Sequence, residues 1–369
     1  SPIEKVTGSE AEDLYSLSIN GKQIKCLKAL ADSIGGVWNY IRGDIMEKDP
    51  HVASKTVPFI SRLYHAMERT FLGIKQKEIK GGIHPFVDLK LRAYSQEHQV
   101  FVPETIDREI RVGFLPIAAN PLNWGHILIA FMAINALSLD TVIFRGQGEI
   151  HYKDMPESDR VPMRDRHSVL QEVVRRLTPL IRYTDIGTAP NDEKEGFEHM
   201  YQFLGLNPEQ KIHVFYLLGI ENKERVVKYS RQQYELSKKY KLHQNHRVTV
   251  GWIQRGVYGA SVAIEEMEGI YREAQEKAEW SEKINITLIK DPDIDLDVSS
   301  TYYRNSHDAA IVPGIVDAYA RAHGYYGHPP IDPRTGKPYD ISEDEQFKVK
   351  LRPIAEGIAN QIVRQMERM

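Results

Sequence analysis

Residues 112–130 read VGFLPIAANPLNWGHILIA. The stretch opens on a β-like run, Val112–Leu115, and breaks at Pro116-Ile117 and Asn120-Pro121. It closes on an apolar helical pattern from about Ile127. A strand, a short loop and a helix in that order make the first half of a βαβ unit. The same texture recurs downstream. Strand candidates are Ile110–Leu115, Thr141–Phe144, Ile212–Leu218, Val248–Ile253 and Ile284–Ile289, alternating with helical patterns at Ile127–Leu137, His167–Ile181, Glu221–Tyr240 and Ser261–Lys277. The strands are short, β-branched or aromatic, and apolar on both sides, as in a parallel sheet covered on both faces. The expected fold class is α/β: a doubly wound, Rossmann-like parallel sheet whose ligands sit at the carboxyl ends of its strands.

Around this core the texture changes. In Gly21–Ile41 the residues Ile24, Leu27, Leu30, Ile34, Val37, Trp38 and Ile41 recur at three and four, and Val57–Ile74 repeats the pattern, so residues 1–107 are expected to form an added helical N-terminal module. Residues 108–328 hold the α/β domain. A Pro/Gly/Asp-rich linker and a C-terminal helix fill 329–369, the helix opened by the capping pattern Ser342-x-x-Glu345 and interrupted at Pro353. The longest apolar stretch, Ile127–Phe144, carries Asn135 and Asp140 and ends in a β-like TVIF, so it reads as a buried helix running into a buried strand rather than a membrane span.

Composition narrows the classes. Of 369 residues, 41% are hydrophobic and 27% charged, enough apolar material for a large core and too much for a disordered chain. With 48 Lys+Arg against 51 Asp+Glu and no basic block, a dedicated DNA binder is not expected. The single Cys26 allows no internal disulfide and fits a reducing, cytoplasmic setting, and the polar start SPIEKVTGSE is not a signal peptide. The composition is compatible with a homo-oligomer without specifying one.

Two stretches carry chemistry. Asn123-Trp124-Gly125-His126 lies at the mouth of the helix after the first strand, where unpaired N–H groups and the helix dipole favour an anion. Gly125 lets backbone come close to a ligand, and His126 can donate to a phosphate oxygen; the bland alternative is a capping Asn and a surface His. Val298-Ser299-Ser300-Thr301-Tyr302-Tyr303-Arg304 follows the last strand. Its hydroxyls can cap a helix or bind phosphate, and Arg304, one turn on, can reach the same anion.

In order, each after a strand, the two motifs resemble those of the nucleotidyltransferase superfamily, in particular the nicotinate/nicotinamide mononucleotide adenylyltransferases. That family opens with a strand and G-G-[ST]-F-[DN]-P-x-H-x-G-H and closes with I-S-S-T-x-x-R. Asn120-Pro121 and Gly125-His126 match the opening, and Val298–Arg304 match the close. Val312-Pro313, Val316, Tyr319 and His323-Gly324-Tyr325 are similar to the stretch that follows in the family. Leu218-Gly219-Ile220-Glu221 resembles G-x-D, Ile253-Gln254-Arg255-Gly256 resembles R-x-G, and His151 and Lys153 stand where the family has a P-x-H-K loop.

The resemblance implies transfer of AMP from ATP, or of another nucleoside triphosphate's nucleotidyl group, to a small phosphorylated mononucleotide, with release of pyrophosphate, as in NAD biosynthesis. Mg²⁺ would accompany the triphosphate, with no metal held by the protein itself. By the same carry-over His126, Asn123, Lys153 and Arg304 would be catalytic. Leu115, Pro116, Ile117, Asn120, Gly125, Gly219, Glu221, Arg255, Ser299, Ser300 and Thr301 would bind the nucleotide. The chain departs from the pattern at three places. Asn123 replaces the first His and brings no charge, Pro116-Ile117 replace Gly-Gly, and Ala118-Ala119 replace [ST]-F. These changes keep a second reading open, a nucleotide-binding homologue without turnover that acts as sensor or scaffold.

Weaker signals lead elsewhere. Asp291, Asp293, Asp295 and Asp297 lack the Gly and Glu of an EF-hand and read as a solvated loop. His243-x-x-His246 has no third ligand in register and its flanks, KYKLHQNHR, read as exposed; Trp252, beside Arg255, reads as core ahead of a ring-stacking platform, and Ile264–Lys283 reads as a solvated helix face. Class I aminoacyl-tRNA synthetases share the H-x-G-H idea but pair it with K-M-S-K-S, which is missing here.

Overall fold

The computed structural model describes residues 3–5, 14–19, 22–27, 33–46, 57–91, 108–149, 155–156, 159–189, 192–220, 229–254 apart from 230, 231 and 234, 284–289 and 298–329. Its centre is a six-stranded sheet, all parallel: β4 (Ile110–Ile117), β5 (Thr141–Gly146), β6 (Ile181–Thr184), β7 (Ile212–Ile220), β8 (His246–Gln254) and β9 (Ile284–Ile289). The spatial order is β6-β5-β4-β7-β8-β9. Counted from β4 this is 3-2-1-4-5-6, the doubly wound Rossmann-like order, with its switch point between β4 and β7.

Side-chain alternation along each strand sorts the apolar residues into two cores. On one face lie Leu115, Ile117, Val142, Phe144, Phe215, Leu217 and Ile253. On the other lie Val112, Phe114, Ile143, Val214, Tyr216, Val250 and Trp252, so Trp252 is core as expected. The first face receives α3 (Trp124–Leu137), α4 (Met163–Leu177) and α7 (Gly314–His323), together with α1 (Ser33–Met46) and α2 (Val57–Ile79). The second receives α5 (Gly196–Leu206). A short helix, α6 (Ser300–Ser306), follows β9.

Helix α3 and β5 account for the long apolar stretch. Ten of the helix's fourteen residues are buried, because it is covered by the sheet on one side and by α2 on the other. A helix buried all round has no need of a polar stripe. Asp140, at the turn between α3 and β5, is fully buried and accepts from the His84 and Arg111 N–H groups while pairing with Arg108. Among the described residues, no helix is long and apolar enough to cross a membrane.

Several sequence expectations need correction. Part of the stretch read as helix from Gly21 is strand: β3 (Lys22–Leu27) pairs antiparallel with β2 (Leu14–Ile19), which pairs with β1 (Ile3–Lys5), and helix begins only at Ser33. The residues between the paired Ile19 and Lys22 are Asn20-Gly21, a strong two-residue hairpin signal. The N-terminal region is therefore not purely helical. The pattern read as one helix to Ile181 ends at Leu177, and Ile181–Thr184 is edge strand β6; Pro179 lies between them. Helix α5 was not expected at all.

Strand β4 runs on to Ile117, so Pro116-Ile117 belong to the strand and not to the loop. Ile117 accepts from Gln147 N–H and so faces β5; Pro116, one residue earlier, faces β7, whose pairing with β4 stops at Phe114. The missing proline donor therefore costs no ladder bond. The C-terminal helix, the helical pattern of 261–277, the solvated face of 264–283 and the Asp291–Asp297 run lie outside the described residues.

Candidate phosphate site at the sheet's carboxyl edge

Helix α3 begins at Trp124, three residues before the expected start, with Asn123 as its N-cap. The Asn123 carboxamide oxygen accepts from His126 N–H, and His126 Nδ1 accepts from Asn123 N–H, both at 3.2 Å. This reciprocal capping box fixes the imidazole tautomer: Nδ1 is the acceptor, so Nε2 carries the proton. The ring is half-buried. Asn123, itself buried, also donates from Nδ2 to Ser300 Oγ at 3.0 Å.

The second motif closes on the first. Ser299 caps α6 by accepting from Tyr302 N–H, and Ser300 Oγ donates to the Pro121 carbonyl at 2.9 Å. Gly125 is the contact point: a Cβ there would lie 2.9 Å from the Val298 carbonyl oxygen. Its lack of a side chain thus serves the approach of residue 298, not the approach of a ligand alone. Arg304 donates from Nη1 to the Asn120 carbonyl at 2.8 Å and from Nη2 to Thr301 Oγ1 at 3.1 Å. Its Nε lies 3.3 Å from Asp159 Oδ2.

The loop between β4 and α3 is built rigidly. Ala119 takes a left-handed conformation, φ +50°. The Asn120 side chain is buried; it donates to the Asp159 carbonyl at 2.8 Å and accepts from Tyr326 O–H at 2.9 Å. Beneath the loop Arg166, also buried, donates to the carbonyls of Ala118, Gln147, Gly148 and Val161 at 2.7–3.1 Å. Burial pulls this guanidinium down to about 10. Sequence reasoning missed Arg166, because nothing in its neighbourhood marks it apart from other arginines of an amphipathic helix.

Asn123, Gly125, His126, Ser299, Ser300, Thr301, Arg304 and Asn120 therefore meet at one carboxyl edge. Leu115, Pro116 and Ile117 lie on the adjoining end of β4, and Leu115 and Ile117 are buried in the core beneath α3. Gly219 lies near the end of β7, paired with Ile253 of β8. Lys153, with His151, and Glu221 and Arg255 lie outside the described residues. His246, read as exposed with His243, is buried, with its Nε2 3.0 Å from the Asn207 carbonyl. No group of three His, Cys, Asp or Glu able to hold a metal occurs among the described residues.

Neither protein-family models nor curated proteins match this chain. Among solved structures, the chain is similar to Plasmodium falciparum nicotinic acid mononucleotide adenylyltransferase complexed with NaAD, at 10% identity and a TM-score of 0.43, over 60% of this chain and 98% of that one. The same enzyme complexed with APC gives 10% identity and 0.42 over the same shares.

Proposed function

We propose that this edge binds the phosphates of a nucleoside triphosphate and that the chain is a nucleotidyltransferase. It would transfer the nucleotidyl group, AMP in the first instance, to the phosphate of a small mononucleotide of the nicotinate or nicotinamide kind. The observation that supports this most is the Asn123–Ser300 hydrogen bond, which joins two motifs 177 residues apart in sequence into one cluster of donors. In this chemistry an acceptor phosphate oxygen forms a bond to the α-phosphorus as the bond to the pyrophosphate oxygen breaks. The protein has to hold two anions in line and stabilise spread charge. His126 Nε2–H, the amino end of α3 and the Arg304 guanidinium are the groups suited to that work.

The donor set here is amide, hydroxyl, imidazole and guanidinium, with Asp159 as the carboxylate beside Arg304. That set does not fit a cation held by the protein. Mg²⁺ is read as part of the incoming triphosphate chelate.

A second reading, binding without turnover, is favoured by Asn123, which supplies a neutral cap where charge would speed the chemistry. Pyrophosphate release from ATP and CTP, assayed over a panel of acceptor mononucleotides, separates the two. The expected result is acceptor-dependent release that falls roughly 10²- to 10³-fold in His126→Ala. Activity that survives this change removes His126 from the mechanism; nucleotide binding without release favours the sensor reading.

A further inference from the structure

We infer that Ser300 and Thr301 take opposite parts in the site: Ser300 is a joint closed to phosphate, and Thr301 is the hydroxyl that donates to an anion at Arg304. The inference rests on the phosphate-site reading above and separates two residues that the resemblance treats alike. It follows from counting protons. A serine or threonine hydroxyl has one proton to give and can accept two bonds; a carbonyl only accepts, and a guanidinium only donates.

Around Ser300 the count leaves one arrangement. His126 N–H can only donate, so the Asn123 carboxamide turns its oxygen to that group and its Nδ2 to Ser300 Oγ, at 3.0 Å. Ser300 therefore accepts from Asn123 and gives its one proton to the Pro121 carbonyl, at 2.9 Å. Both partner residues are buried. Turning the proton toward a phosphate would take this donor from the Pro121 carbonyl, and the lone pair left on Ser300 Oγ repels an anion. Thr301 is placed the other way. It is exposed, and its Oγ1 accepts from Arg304 Nη2 at 3.1 Å. The guanidinium cannot accept in return, so the Thr301 O–H points away from it and meets no acceptor among the described residues. That proton can reach an anion beside Arg304 with no existing bond broken.

The test uses the full chain and calorimetric titration with tripolyphosphate and Mg·ATP, beside thermal unfolding. Thr301→Val keeps the branched shape without the hydroxyl, and Thr301→Ser keeps the hydroxyl. The expected result is affinity for both probes weakened roughly tenfold or more in Thr301→Val, the worth of a hydrogen bond to a charged group, with Tm unchanged. Thr301→Ser should bind as wild type does. In the Arg304→Gln background Thr301→Val should weaken tripolyphosphate binding further, because the hydroxyl meets the anion itself and does more than orient the guanidinium. Ser300→Ala should lower Tm and leave the affinity of the folded chain within about threefold of wild type. Three results would overturn the assignment and leave the phosphate site standing: Thr301→Val binding as wild type does, a Thr301→Val effect that vanishes without Arg304, or a loss in Ser300→Ala as large as that in Thr301→Val. Where Ser300→Ala does not fold, the Thr301 variants decide alone. A folded wild-type chain that binds neither probe would remove the phosphate-site reading and the assignment with it.

Discussion

Gly125 is where the backbone of one motif meets that of the other, a packing role its sequence setting does not reveal. Its sequence setting suggests a backbone approach to ligand, but a Cβ there would lie 2.9 Å from the Val298 carbonyl and 3.1 Å from the Val298 Cβ. Gly125→Ala should therefore push the two motifs apart and cost about 1–3 kcal/mol, the range of overpacking a filled contact. Urea unfolding measures it; an unchanged midpoint would mean residue 298 gives way freely. Ser300→Ala removes the acceptor of Asn123 Nδ2 and the donor to the Pro121 carbonyl, and should cost about 1–2 kcal/mol by the same assay. What the sequence could not show at this scale is which partners the polar groups take. Arg304 stands out in the sequence as the end of the Ser-Ser-Thr-x-x-Arg stretch, but its ion pair with Asp159, far back in the chain, depends on the fold.

At the level of elements, alternation and period identified β4, β5, β7, β8 and β9, because each is a short apolar run bounded by polar residues. Strand β6 escaped because Leu180-Ile181 continue the apolar spacing of α4, and Pro179 is the break that separates them. The hairpin of β2 and β3 escaped because Ile24 and Leu27 fit a helical spacing as well as a strand, while Asn20-Gly21 carried the contrary signal. Arg166 joins elements that are otherwise separate, tying the loops after β4 and β5 to the entry of α4 through carbonyl groups. Arg166→Met keeps much of the side-chain volume but leaves buried carbonyls without donors. It should destabilise the chain by about 3–5 kcal/mol, in line with removing one partner of a buried charged network. A loss below about 1 kcal/mol in chemical denaturation would mean those carbonyls find other donors.

Over the whole molecule, four sheltered histidine rings sit on different elements: His167 on α4, His199 on α5, His213 on β7 and His328 beyond α7. Burial, with Arg166 and Arg145 adding to it, holds His167 down to about 4; burial and Arg145 do the same for His199. His213 and His328 are likewise lowered to about 4, first by burial and then by Arg247 and by His307 respectively. In the unfolded chain each ring takes a proton near its ordinary value of 6.5. Between about 6.5 and 4 the unfolded state thus binds more protons, and stability should fall as pH drops through that window. Calorimetric melting at pH 7, 6, 5 and 4.5 should show a steadily falling Tm; a flat profile would mean that these rings are not held neutral.

The proposed phosphate site requires the two motifs to act together on one anion. A calorimetric titration of the intact chain with Mg·ATP and Mg·CTP, beside Arg304→Gln, addresses that claim most directly. Saturable binding of at least one nucleotide is expected, weakened roughly tenfold or more in Arg304→Gln, as the loss of a charge-assisted hydrogen bond implies. A folded wild-type chain that binds neither nucleotide, or one whose affinity is untouched by Arg304→Gln, would contradict it.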